Sequence, residues 1–257
     1  MLHLPIIQSV ERALMILDLF DEHTTELKIT EISERMELHK STVHSLLKTL
    51  QEYAYIDQNQ ENGKYRLGLK LAERGNLVIS NIDIRKAAHQ YLVDLAAKTG
   101  QTVHLGILDG REGVYIDKVD GEQSIIRYSR IGRRLPLHST AIGKVLLAYQ
   151  EPHEMTRLLQ GYPYQQQTAN TITNEAVLRK EIEKIRQQGY AIDHQENEQG
   201  VQCAAVPIFN GKGKVLAAIS ISTLISRVSD EELAIFIEIL KASCQELSEL
   251  MKYDFES

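Results

Sequence analysis

The sequence of 257 residues has no tryptophan and only two cysteines, Cys203 and Cys244. Two lone thiols exclude a disulfide framework and a CxxC metal knuckle, and make a reducing compartment the default expectation. The missing tryptophan excludes nothing by itself. No apolar run approaches the roughly 18 to 20 residues that cross a bilayer. The start, MLHLPIIQSVERALMILDLF, mixes charge into its apolar pattern too early for a secretory signal. A cytoplasmic protein with no membrane partner is expected. An excess of positive charge is also lacking, since 29 Lys and Arg stand against 35 Asp and Glu, for a formal net charge of -6. That excludes a uniformly basic binder of nucleic acid or membrane surfaces, though not a locally basic one.

Catalytic signatures are missing as well. There is no GxSxG elbow, His194 and Glu196 do not make HExxH, and His153-Glu154 lacks a second histidine. Gly211-Lys212-Gly213 reads as a hairpin turn, because the third glycine of a dinucleotide loop is absent and no βαβ unit follows. No cofactor and no metal are expected. An enzyme survives as the rival class only through Cys203 or Ser139 as nucleophile, with His138 or His194 as base.

What is present suits two domains, each long enough to bury its own core. Hydrophobic residues at 43% and charged residues at 25% exclude a largely disordered chain. From Ile7 the apolar positions Val10, Leu14 and Leu17 follow helical spacing, widened by Ala13, Ile16 and Phe20, so a first helix is expected to about Asp21. Thr30, with Glu31 and Glu34 in the first turn, suggests a short second helix. A third should open at Lys40 or Ser41 and end near Tyr53. On it, Val43, Leu46, Leu47 and Leu50 share one arc, while Lys40, Ser41, His44, Ser45 and Lys48 fill the opposite side. Between His39 and Gln51 there are two lysines, two histidines and no acid. Tyr55–Asp57 and Lys64–Leu67 flank a turn ending in Asn62-Gly63, which reads as a hairpin. Three short helices and a hairpin make a winged helix-turn-helix.

A helical stretch from Leu69 to about Ser80 links this unit to the rest. Asp83 is expected to cap a longer helix ending near Gly100, with Ala87, Tyr91, Leu92, Leu95 and Ala96 as its periodic set. Strands are expected at Thr102–Leu108, Gly113–Val119, near Ile125–Arg130, and at Tyr190–Asp193, Val201–Phe209 and Val215–Ser222. Helices are expected at Ser139–Tyr149, after Pro152, at Asn174–Gln188, and from Ser229 or Asp230 toward Met251. The domain boundaries are drawn at 1–68, 69–81 and 82–257.

The segments SVERALMILDLF and KSTVHSLLKTL resemble the winged helix of IclR-family transcriptional regulators. The second half is similar to their effector-binding domain, whose signature is met here by Gly189, Asp193, Glu196, Cys203, Ala205, Phe209 and Asn210. Ala204 departs from it, since a larger aliphatic residue is usual there, which bears on local packing but not on the match. Within the family, YSRIGRRLPLHSTAIGKVLLA most resembles regulators of sugar-acid metabolism, those answering to ketodeoxygluconate or xylonate. The resemblance implies an α+β fold, a winged helix-turn-helix followed by a GAF- or profilin-like effector domain, and a ligand-controlled regulator, commonly a repressor.

On this reading Ser41, His44, Ser45 and Lys48 face base edges or phosphates of a double-stranded operator. Lys40, Thr42, Lys64 and Arg66 contact its backbone. The stretch from Gln123 to Gln150 holds Arg127, Arg130, Arg133, Arg134 and Lys144 without one acid. It reads as a solvated surface, a field for an anionic ligand, or an interface. Ser139, Thr140 and Ala141 open a helix whose free N–H groups suit a carboxylate, although capping alone would explain the hydroxyls. The resemblance places this helix start in the effector pocket and adds Asp193, Cys203, Ser220 and Ser222. Period-2 geometry by itself puts Ser220 and Ser222 on one face of their strand, while a buried core position is the common fate of a free Cys203. The implied partners are operator DNA, a small anionic sugar acid, and a second copy of the chain, with a dimer of dimers also implied. Ile16 and Leu19 on the wide first stripe are the expected dimer face. A ligand-independent DNA-binding protein is the third alternative.

Overall fold

The computed structural model describes residues 6–80, 82–123 and 129–252. The chain divides into two compact units, Met1–Asn81 and Ile82–Ser257.

The first unit carries α1 (Gln8–Leu17), α2 (Ile29–Arg35), α3 (Lys40–Glu52), a hairpin of β1 (Ile56–Gln58) and β2 (Tyr65–Leu67), and α4 (Lys70–Ser80). Ile16, Phe20, Leu27, Ile32, Val43, Leu47, Ile56 and Tyr65 form its core. The stripe on α1 is turned from the expected orientation: Ile16 is fully buried and Leu19 packs against the core, whereas Val10 and Leu14 are 53% and 57% exposed. The stripe is broader than one small core can cover, and the core took its Ile16 edge. Helix α1 also stops at Leu17, short of Asp21, with Asp18 as its C-cap.

The turn from α2 to α3 is a Schellman closure. Leu38 N–H reaches the Ser33 carbonyl and Glu37 N–H the Glu34 carbonyl, with Glu37 at φ 53°. The end of α3 repeats it, with Tyr55 N–H on the Leu50 carbonyl and Ala54 at φ 60°. The hairpin returns directly over this end. A Cβ on Gly68 would lie 2.1 Å from the Ala54 carbonyl oxygen, so only glycine lets the base of the wing pack there.

The second unit begins with α5 (Asp83–Thr99), where Ile82 is the N-cap and Asp83 is the first helical residue, not the cap. It continues with β3 (Thr102–Asp109), β4 (Glu112–Val119), β5 (Arg134–Leu135), α6 (Ala141–Ala148), α7 (Pro152–Leu159) and α8 (Glu175–Gln188). Then come β6 (Ala191–His194), β7 (Val201–Phe209), β8 (Val215–Leu224) and α9 (Asp230–Leu250). The expected strand near Ile125–Arg130 lies largely outside the described residues, and Ser129 and Arg130 are not in a strand. Six strands form one antiparallel sheet in the order β5-β4-β3-β8-β7-β6. The fold is α+β.

Pairing register sorts the sheet into two faces. Val103, Leu105, Val206, Ile219 and Ile221 lie on one face and belong to a core that also takes in Ala88, Leu92 and Leu95 of α5 and Leu240, Cys244 and Leu247 of α9. On the other face Thr102 and His104 stand opposite Ser222 and Ser220, Cys203 opposite Ser222, and Asp193 opposite Cys203. That row is polar, and α6 packs on its side of the sheet. Ala204 is fully buried and packs against Val228, Leu233 and Ile237. Among the described residues, no helix is long and apolar enough to cross a membrane.

Replacing Gly68 by alanine should destabilise the first unit by about 1–3 kcal/mol, the usual range for overpacking. Urea unfolding followed by circular dichroism should show it as a lowered midpoint for the N-terminal transition.

Candidate functional site

Helix α3 presents Lys40, Ser41, His44, Ser45 and Lys48 to solvent, with Thr42 half-buried beside them. Its inner side is held by buried Val43 and Leu47, with Leu46 and Leu50 at the margin. Ser45 donates its hydroxyl to the Ser41 carbonyl at 3.1 Å, so one expected base-facing hydroxyl is turned along its own helix. The wing is less positive than its composition suggests. Arg66 holds the Asp57 carboxylate through Nε and Nη2 at 3.0 and 2.7 Å. Glu26 accepts the Asn59 and Asn62 side-chain amides, which hold its carboxyl below the usual range, and Lys64 adds its charge nearby.

In the second unit, Thr140 is the N-cap of α6. Its hydroxyl accepts the Gly143 N–H at 3.1 Å and donates to the Pro136 carbonyl at 2.7 Å. Gly143 is required, since a Cβ there would stand 2.3 Å from that same carbonyl oxygen. The cap uses the hydroxyl, leaving the amides of Ala141 and Ile142 in the first turn as outward donors. Ala141 and Ile142 line a small cavity of about 30 Å³, also bounded by Tyr115, Ser129, Arg133, Asp193, Asn197, Glu198, Cys203 and Ser220. Ser129 Oγ is buried there with no hydrogen-bond partner among the described residues. Ser222 stands one layer behind, receiving the Cys203 thiol at 3.1 Å and lying 3.4 Å from His104 Nδ1. Ser139 is fully buried, its Oγ 3.5 Å from Asn197 Oδ1, and is not among the residues bounding the cavity. The structure thus brings Thr140, Ala141, Asp193, Cys203 and Ser220 together, with Ser222 and Ser139 as supports. A larger cleft of about 710 Å³ opens between the β7–β8 turn and α9, but none of the expected site residues bounds it.

Two family models match the chain: the IclR helix-turn-helix domain over residues 9–60 and the bacterial transcriptional regulator IclR C-terminal region over residues 76–249. The chain belongs to the IclR family. It is 59% identical to the HTH-type transcriptional regulator XynR of Escherichia coli (strain K12), over 97% of this chain and 99% of that protein. It is 40% identical to the regulator KdgR of the same organism, over 96% and 94% of the two chains. The crystal structure of the Thermotoga maritima IclR superposes with a TM-score of 0.78 at 38% identity, over 96% of this chain and all of that one. Like its IclR relatives, the protein is a transcriptional regulator that binds DNA, and not an enzyme.

The chemistry around the cavity agrees with that. Burial pushes the Cys203 thiol well above its ordinary range, and the neighbouring Asp193 charge adds to the effect, so the thiolate needed for attack is suppressed. His104 is pulled down to about 3 by burial and stacks on Tyr115 at 4.3 Å, a neutral ring with an unpartnered Nε2 among the described residues. His138 is also lowered by burial and points Nε2 to the Gln165 carbonyl, while His194 Nδ1 meets the Gln202 amide. Neither pairs with Cys203 or Ser139. Among the described residues no cluster of three or more His, Cys, Asp or Glu side chains converges as a metal site.

One residue of the acid-free stretch is not on a surface at all. Lys144 is completely buried, its ammonium 2.5 Å from Glu196 Oε1, 2.6 Å from the Ile192 carbonyl and 3.4 Å from Glu181 Oε1. Arg134, from the same stretch, is paired with Asp109 at 2.7 Å. Arg127 lies outside the described residues. Glu196, reached by Lys144, opens the loop that carries Asn197 and Glu198 to the cavity, and Thr168 and Thr171 hold this loop by its carbonyls. Tyr115, Asn197, Glu198 and Lys144 were not singled out as site residues from the sequence. The usable signal was Glu196 of the signature, a buried-type acid that needs a cation.

Lys144→Met leaves Glu196 buried without its cation and should cost about 3–5 kcal/mol. Adding Glu196→Gln should recover part of that loss, read as the urea midpoint of the C-terminal unit.

Proposed function

We propose that this regulator represses genes of sugar-acid catabolism and is released from its operator by a small carboxylated metabolite seated at the start of α6. The observation that carries the reading is one small space where the first residues of α6, Asp193, Ser220, Cys203 and Arg133 meet. Helix amides and a guanidinium suit a carboxylate, and hydroxyl, thiol and carboxyl groups suit the hydroxyls of a sugar chain. The names of XynR and KdgR support the subgroup. The space is far below the several hundred Å³ typical of ligand pockets, so a six-carbon acid enters only as its walls part, which is how occupancy does work on the rest of the chain.

The DNA-facing surface is α3, with Lys40, Ser41, Thr42, His44, Ser45 and Lys48 across the major groove and Lys64 and Arg66 on the wing beside it. Its partner is a two-fold operator bound by a homodimer in the cytoplasm, with a dimer of dimers as the larger assembly. The dimer face comprises Val10, Leu14 and Met15 of α1 together with Leu77 and Val78 of α4, large apolar side chains left exposed in the first unit. This replaces the Ile16–Leu19 edge, which the core occupies.

Fluorescence anisotropy on the operator nearest the protein's own gene checks the DNA face. Lys48→Ala and His44→Ala should each weaken binding, and the slope of log K against log salt should lie near -0.9 per phosphate contact. No change for either variant would remove this docking surface. Release of that operator by xylonate, ketodeoxygluconate and related acids checks the ligand. The double variant Ser220→Ala, Ser222→Ala should need several-fold more of the active acid, an unchanged dose-response places the pocket elsewhere, and release by no acid supports the ligand-independent alternative.

A further inference from the structure

Asp193 occupies an unusual electrical position. It is 3% exposed, and its Oδ1 accepts the amides of Glu196 at 2.7 Å and Asn197 at 3.3 Å. Those bonds fix the carboxyl, and among the described residues no ion pair to it is seen. The nearest buried ammonium, Lys144, has three N–H donors and three oxygen acceptors already in place: Glu196, Glu181 and the Ile192 carbonyl.

The other groups around Asp193 do not change that balance. Glu196 and Glu198 come from the loop after β6, and both are acids. Tyr115 of β4 and Cys203 of β7 are raised by burial and stay neutral, and the same burial lowers His104 of β3 and keeps it neutral as well. Arg133 and Glu198 bound the same cavity with opposite charges. Burial, then the charge of Glu196, push the Asp193 carboxyl up to about 7.

A carboxylate on the Ala141 and Ile142 amides enters this same space of about 30 Å³, which Asp193 also bounds. Two carboxylates brought together in a site with so little water cannot both remain ionised. We propose that the effector carboxylate and Asp193 share one proton, so that binding draws a proton from solvent and weakens as the pH rises above neutrality. The inference rests on the effector reading above. The proton comes from the buffer on association and returns to it on release; no bond other than O–H is made or broken. The shared proton forms an O–H···O⁻ hydrogen bond, among the stronger kinds available. A lactone of the same sugar acid has no carboxylate and draws no proton.

The direction with pH follows from the free protein. Below pH 7 Asp193 already holds its proton and binding takes up little. Above it the proton must be acquired, so affinity should fall about tenfold per pH unit.

Isothermal titration calorimetry of the full-length protein with xylonate and with ketodeoxygluconate, between pH 6.5 and 8.5 in two buffers of different ionisation enthalpy at each pH, tests this. The expected result is an uptake near one proton per ligand at pH 8.5, little uptake at pH 6.5, and the stated fall in affinity. Asp193→Asn should bind with no uptake and no pH slope, and at pH 8.5 at least as tightly as the unaltered protein. Binding with constant affinity and no uptake overturns the proposal and assigns the countercharge to Arg133, while the effector reading stands. Uptake that persists in Asp193→Asn also overturns it. The wild-type slope and uptake decide the matter if that variant does not fold. No heat with either acid at any pH removes the effector reading, and this inference with it.

Discussion

The buried ammonium of Lys144 is the constraint around which the C-terminal unit is arranged. A lysine with no exposed surface is tolerated only if each N–H finds an oxygen, and its three acceptors come from α8, β6 and the loop after β6. The ammonium therefore ties α6 to three separate parts of the chain. The same helix offers its first turn to the cavity, and the same loop supplies Asn197 and Glu198. One interaction thus ties the α6 side of the site to the loop that forms its acidic wall. Such a pair does little for net stability compared with a well-packed apolar alternative, and its value lies in specifying one arrangement.

The sheet explains why a site of this kind fits inside a small domain. Its α5 and α9 side is apolar and closes in the ordinary way, whereas the row Thr102, His104, Ser220, Ser222, Cys203 and Asp193 lies on the opposite side. Those groups satisfy one another in part: thiol to hydroxyl, hydroxyl near imidazole, carboxyl to amides. Of the buried polar atoms left unpaired among the described residues, Ser129 Oγ lies in the cavity wall and His104 Nε2 belongs to a ring stacked against Tyr115, which also bounds the cavity. A buried polar row with unspent hydrogen bonds is costly in a purely structural domain and appropriate in one that receives a polar ligand.

Much of this was visible in the sequence, and the failures have definite causes. Helical spacing located α3, and the ranges expected for α8, α9, β7 and β8 fall within two residues of those observed at the ends that were stated, with Asn174 and Ser229 found as the caps. The face of α1 was misassigned because a stripe wider than its core does not say which edge turns inward. None of the three readings of the stretch that holds Lys144 was a buried ion pair, because its carboxylate partners lie 37 and 52 residues away. Tyr115 escaped notice because an irregularity between Leu105 and Gly106 shifts the β3–β4 register. Thr140 shows a limit of another kind: composition named the right helix start, but only geometry assigns the cap to its hydroxyl and leaves the Ala141 and Ile142 amides outside the cap.

The ion pair between Arg66 and Asp57 on the wing gives that segment a different electrostatic character from α3. A guanidinium closed on a carboxylate approaches a phosphate as a dipole, whose field falls with distance faster than that of a free charge and depends on angle. Lys40 and Lys48 act as monopoles felt through roughly a Debye length of about 8–10 Å, whereas the paired arginine acts only at contact and in one orientation. On the proposed docking, the helix supplies the long-range attraction to the duplex and the wing supplies a contact that depends on tilt.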